Sequence, residues 1–172
     1  EENIGDAVRT VEFLAEEKGL HLHYNVDPEV PRFVYGDAVR VRQILVNLLN
    51  NSIKFSEKGA VSVRVFLRES NNEGILVEFQ VKDNGIGIVP EKINDIFEEF
   101  VQVDSSTSRD FEGTGLGLAT IYGIVKQNNV FINVYSEPGE GTTFKIYFPV
   151  HAGPEVLKQK DFKETSLRGN ET

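Results

Sequence analysis

Two alternating runs, Val61-Val63-Val65-Leu67 and Val77-Phe79-Val81, stand on either side of Asn71-Asn72-Glu73-Gly74, and this pattern constrains the fold more than any other feature. Period-two apolar residues flanking a turn-forming tetrad specify an antiparallel hairpin with one apolar side. Upstream, Ile4, Ala7, Val8, Val11, Leu14 and Ala15 recur at helical spacing, which predicts a helix over 3–18 closed by Gly19. Leu20 to Val26 reads as a half-buried strand, with Leu22, Tyr24 and Val26 on one side and His21, His23 and Asn25 on the other. Pro28 and Pro31 mark a loop, and Asp37 can cap a long helix ending near Phe55.

Beyond the hairpin come a glycine-rich turn (Asp83 to Gly87), a short helix (Pro90 to Phe97) and a polar stretch (Asp104 to Gly113) that is a candidate mobile lid. Leu116 to Gln127 is apolar enough for a buried helix, and strands Phe131 to Tyr135 and Thr143 to Phe148 flank the Glu137-Gly141 turn. After Pro149 the chain turns polar, and Val156, Leu157, Phe162 and Leu167 are too sparse for a core. Residues 1–150 therefore read as one domain and 151–172 as a disordered tail or linker.

A net charge of −9 argues against a broad nucleic-acid surface, so any polyanion must sit in a local pocket. No apolar run reaches the ~20 residues of a membrane span, which predicts a soluble piece without direct membrane contact. The absence of cysteine excludes thiolate chemistry and makes the cytoplasm the expected location. The lack of any methionine, even at position 1, leads us to expect a segment of a longer parent.

On the Asp37–Phe55 helix, Val41, Ile44, Leu45, Leu48 and Leu49 form a core stripe, while Arg40, Gln43, Asn47, Asn50, Asn51 and Lys54 share the other side. Asparagine is a poor helix former, so three of them in five residues call for a reason. Asn47, Asn51 and Lys54 align at i, i+4 and i+7 and could supply oxygen ligands for Mg²⁺ and a cation for phosphate. A solvated helix side is the alternative.

Asp83-Asn84-Gly85-Ile86-Gly87 leaves a strand end, where a carboxylate could accept a hydrogen bond from the exocyclic amine of adenine. Guanine would present an acceptor there and leave the charge unpaired. The same residues also make an ordinary turn. Gly113-Thr114-Gly115-Leu116-Gly117-Leu118 opens a predicted helix, whose free N–H groups suit phosphate, although a flexible hinge would look similar. Neither a Rossmann spacing nor a P-loop is present. Ile96-Phe97-Glu98-Glu99-Phe100 could anchor the lid hinge or simply pack in the core.

Taken in order, Arg42 to Phe55, Asp83 to Gly87, Ile96 to Phe100 and Asp104 to Leu118 resemble the N box, first glycine box, F box and second glycine box of sensor histidine kinases. Phe100 to Ser106 resembles the hybrid type in particular. The resemblance covers residues 3–149 and implies a Bergerat-type two-layer α/β sandwich, a mixed sheet with helices on one side and an ATP lid.

It further implies that ATP and Mg²⁺ are bound. Asn51 would hold the metal, and Asn51 and Lys54 would be the catalytic positions. Asn47 and Lys54 would contact phosphates, Phe55 would flank the nucleotide, and Asp83 would take the adenine amine. Gly85, Gly87 and Ile88 would shape the base pocket. Gly113, Thr114, Gly115, Leu116, Gly117 and Leu118 would face the phosphates, with Thr143 also at the nucleotide.

The implied reaction is γ-phosphoryl transfer to a histidine on a separate dimerisation domain, in relay with a response regulator receiver domain. His21 and His23 lack an acidic neighbour and helical context, so they read as exposed strand histidines; His151 falls in the polar tail. The fragment itself is expected to be monomeric. Two positions depart from the family pattern: Gln102 replaces a phosphate-reaching arginine of simpler kinases, and Asn128-Asn129 replaces a Gly-Gly turn, which asparagine tolerates. Competing readings are another ATPase of the same fold and a nucleotide-binding scaffold without phosphotransfer.

Overall fold

The computed structural model describes residues 2–72, 74–93, 96, 116–127 and 129–152. Helix α1 spans Glu2–Glu17 and buries Ile4, Ala7, Val8, Val11 and Ala15. Leu14, expected in that stripe, is 46% exposed, because among the described residues α1 packs chiefly on one neighbouring helix and an edge strand. Gly19 has φ +66° and the Leu20 N–H donates to the Ala15 carbonyl, the left-handed stop that the glycine signalled.

Strand β1 (His21–Val26) lies parallel to β3 (Ala60–Ser70), and helix α2 (Ala38–Phe55) forms the crossover between them. Asp37 accepts a hydrogen bond from the Arg40 N–H at 3.0 Å, so the expected cap is present. Between β1 and α2 the chain makes β2 (Val34–Tyr35), which the two prolines had led us to read as loop. The hairpin forms as expected: β3 runs antiparallel to β4 (Ile75–Lys82), with a register shift between Leu67 and Glu69. A 3-10 turn covers Pro90–Lys92, and α3 spans Leu116–Gln127.

Strands β5 (Phe131–Glu137) and β6 (Gly141–Ala152) pair antiparallel, and β6 also pairs with β4 and β2. The sheet order is β1-β3-β4-β6-β2 with β5 on β6, a mixed sheet. Strand β6 continues past Pro149 to Ala152, so His151 pairs with Tyr35 rather than starting a tail. Proline there is tolerated because only its N–H is missing.

One side of this sheet carries Val61, Val63, Val65, Val77, Phe79, Val81, Phe144, Ile146 and Phe148, all buried beneath the helices. Phe79 and Phe148 meet edge to face at 5.4 Å. Helix α2 brings Ile44, Leu45, Leu48 and Leu49 onto that layer and packs against both α1 and α3. Tyr24 remains 42% exposed although it points to the core side, because β1 is an edge strand; its ring lies over Gly5 of α1.

Candidate functional site

The Lys18 ammonium donates to the carbonyls of Ile53, Lys54 and Ser56 at 2.9, 2.7 and 3.4 Å, and so anchors the C-terminal end of α2. Three segments meet at that end. The turn after β4 rests on α2 through the Ile86 N–H donating to the Phe55 carbonyl at 3.2 Å. Its far side touches the β5–β6 turn, where the Gly139 N–H donates to the Ile86 carbonyl at 2.7 Å.

This confinement explains the glycines. A Cβ on Gly85 would stand 2.6 Å from the Phe55 carbonyl oxygen, and one on Gly87, whose φ is +72°, would stand 2.1 Å from the Glu137 carbonyl oxygen. Ile88 is half-buried against the core and donates its N–H to Ser136 Oγ at 2.8 Å.

Asp83 is 5% exposed. Its Oδ1 accepts from the N–H groups of Gly85 and Thr142, each at 3.0 Å, and its Oδ2 accepts from Ser52 Oγ at 2.8 Å. A carboxylate oxygen has room for two such bonds. Among the described residues, Oδ1 is therefore filled, while Oδ2 keeps a second acceptor direction. A rigid acceptor of this kind suits an amine-bearing flat base.

Asn47, Asn51, Lys54 and Phe55 lie on the half-buried flank of α2, with Lys54 Nζ 5.1 Å from the centre of the Phe55 ring. Leu116, Gly117 and Leu118 form the first described turn of α3, whose N–H groups have no helical partner among the described residues. Gly113, Thr114, Gly115, Gln102, Asn128 and the F-box residues other than Ile96 lie outside the described residues. Asn129 adopts φ +52°, the left-handed turn that asparagine allows.

The Thr142 backbone N–H donates to Asp83, while Thr143 pairs with Lys82 and Tyr135, and strand alternation puts its side chain on the side of the sheet away from the buried layer. Ser52 is a residue that sequence reasoning missed. A signal for it existed: position 52 continues the buried stripe of α2, and a hydroxyl there requires a partner.

Residues 36–152 match the family described as histidine kinase-, DNA gyrase B- and HSP90-like ATPases. The chain belongs to that family. This ATPase chain is 42% identical over 146 residues to hybrid signal transduction histidine kinase B of Dictyostelium discoideum, covering 85% of the chain and 7% of the relative. It is 36% identical over 172 residues to the peroxide stress-activated histidine kinase mak2 of Schizosaccharomyces pombe, covering 98% and 7%. The chain thus spans a small part of the relatives that it matches.

Among solved structures, full-length ShkA in complex with AMPPNP superposes with a TM-score of 0.75 at 30% identity, over 88% of this chain and 30% of that one. The catalytic domain of histidine kinase ThkA shares the fold, with a TM-score of 0.69 at 24% identity over 86% and 90%. The ATPase chain is an ATP-binding catalytic domain of the histidine kinase type.

Proposed function

We propose that the chain binds ATP with Mg²⁺ and transfers the γ-phosphoryl group to a histidine carried by a dimerisation domain of the same parent, in relay with a receiver domain. The observation that carries this reading is the Asp83 carboxylate, buried and, among the described residues, held by three donors with one acceptor direction to spare. Adenine offers an amine to that direction; guanine offers a carbonyl oxygen, and the charge would lose its partner.

Asn51 would take the metal through its amide oxygen, with phosphate and water oxygens completing a hard-cation shell. When bound, Mg²⁺ supplies charge neutralisation on the transferring phosphoryl group. Asn47 and Lys54, one turn away on either side along α2, would hold phosphate oxygens, and the first-turn amides of α3 would add neutral donors. Phe55, Gly85, Gly87 and Ile88 would bound the base, and residues 113–115 would extend the phosphate contacts. The work of these residues is positioning and electrostatic stabilisation.

The domain would run to Ala152, where β6 ends, with the remainder a tail or linker; the chain would work in the cytoplasm with the ATP supply, and in isolation it would be monomeric. Among the described residues no helix is long and apolar enough to cross a membrane.

Calorimetric titration of ATP, ADP and GTP with Mg²⁺ tests the site. ATP and ADP should bind and GTP should not. Asp83→Asn should weaken ATP by about tenfold or more, ~1.4 kcal/mol. An amide oxygen facing the Gly85 and Thr142 donors would turn its NH₂ toward Ser52 and the base amine. Asn51→Ala should reduce the dependence of ATP affinity on Mg²⁺. A folded chain that binds no nucleotide would overturn the proposal. Binding without transfer to a histidine-bearing helical hairpin from a related kinase would leave a scaffold module.

A further inference from the structure

The side of the sheet turned away from the helices is not used by the nucleotide site. Strand register arranges it in rows. One row runs His23, Ser62, Lys82, Thr143, Tyr135, and the next runs Asn25, Arg64, Gln80, Lys145, Asn133. Adjacent strands are ~4.8 Å apart, and same-side residues along a strand are ~7 Å apart. Arg64, Lys82 and Lys145 therefore cluster at the centre, and neither row contains a carboxylate.

Among the described residues none of these three cations forms an ion pair. The following row holds Glu78, but that carboxylate is 1% exposed and already engaged by Arg68 and Gln80. A cationic centre of this kind is unexpected on a chain of net charge −9.

Exposed aromatics border it. Phe131 is 67% and Tyr135 is 54% exposed, both on β5, and Lys145 Nζ stands 4.6 Å from the centre of the Tyr135 ring. Arginine and aromatic side chains together are the composition of protein–protein contact centres, where a few such residues carry most of the binding energy. An extended polyanion such as nucleic acid, or an anionic membrane, would meet the negative remainder of the chain beyond the patch. A protein presenting a compact group of carboxylates beside an apolar contact would not.

We propose that the open side of the sheet is a docking surface for an acidic protein partner, with Arg64, Lys82 and Lys145 pairing its carboxylates and Tyr135 and Phe131 seating its apolar contact. Because the helices cover the other side, this surface is available while nucleotide is bound.

The test is heteronuclear NMR on the full chain saturated with ADP, titrated with a short synthetic peptide of glutamate interleaved with phenylalanine and serine. The same peptide with lysine for glutamate, oligothymidylate and phosphatidylserine vesicles are the comparison probes. Shifts should concentrate at the amides of Arg64, Lys82, Tyr135 and Lys145, and binding should weaken as salt rises. The Arg64→Glu/Lys145→Glu variant should lose about tenfold or more in affinity for the glutamate peptide, a 1.4 kcal/mol change or larger in affinity terms, while its ADP affinity stays unchanged. Should that variant not fold, Lys145→Gln should show a smaller loss in the same direction. Equal binding of the lysine peptide, shifts elsewhere, an unchanged affinity in the folded variants, or tighter binding of oligothymidylate or vesicles at the same residues would each overturn the proposal.

Discussion

The Ser52 hydroxyl is 2% exposed and its hydrogen bond runs to a carboxylate, so its removal is felt twice. Ser52→Ala should lower unfolding free energy by about 1.5–3 kcal/mol, the usual range for a bond to a charged group, and should raise the Kd for ADP as Asp83 gains freedom. Denaturant titration and calorimetry measure the two effects separately. An unchanged Kd alongside lowered stability would make Ser52 purely structural.

Glu78 behaves differently. Burial pushes its carboxyl up, but hydrogen bonds from Arg68 and Gln80, the Arg68 charge and the Tyr147 hydroxyl together hold it below the ordinary carboxylate range. A depressed native value contributes stability above the unfolded value of about 4.3, and that contribution is lost as pH falls through the native value. Arg68→Leu leaves the buried carboxylate short of a partner. It should cost about 1–3 kcal/mol at neutral pH, and the variant's deficit relative to wild type should shrink on acidification below pH ~4. Stability curves at several pH values check the sign.

At the level of elements, the end of α2 is held by a side chain from the turn that follows α1. Lys18 stands one residue before the Gly19 turn that stops α1, and its ammonium reaches three terminal carbonyls of α2. Lys18→Met retains the aliphatic stem and removes the charge. It should cost about 1 kcal/mol or less, because the group is exposed and water can replace it. Amide exchange should show faster opening at the end of α2 than at its start.

Helix α2 and the centres of β3 and β4 were legible because their signals are local: the Asp37 cap, the 3.6-residue stripe and the alternation of valines. Strand β2 was not, since two residues shortly after Pro31 carry no period, and only pairing with His151 and Ala152 makes them a strand. The sides taken by Thr142 and Thr143 were not legible for a related reason. Two identical side chains in sequence differ only in which side of the sheet they meet.

Across the whole molecule, ligand binding and folding are linked, because Asp83 is assembled from α2, β4 and β6 and has no counterpart in the unfolded chain. ADP with Mg²⁺ at about 100 times its Kd should add about 2.7 kcal/mol to the unfolding free energy. Asp83→Asn at the same ADP concentration should gain much less. Thermal denaturation with and without ADP distinguishes the two, and equal gains would separate nucleotide binding from Asp83.

By itself the sequence determined the hairpin, the three helices and the family, and it supplied the motifs from which the nucleotide positions are proposed, because periodicity, caps and motif order are properties of neighbouring residues. Only the tertiary structure decided how Asp83 is held and what the outer side of the sheet presents. The donors to Asp83 come from segments that are distant in the chain, and Arg64, Lys82 and Lys145 become neighbours only when the register of three strands is set. Register depends on how the apolar side of every strand fits beneath the same helices, and no local pattern contains that information.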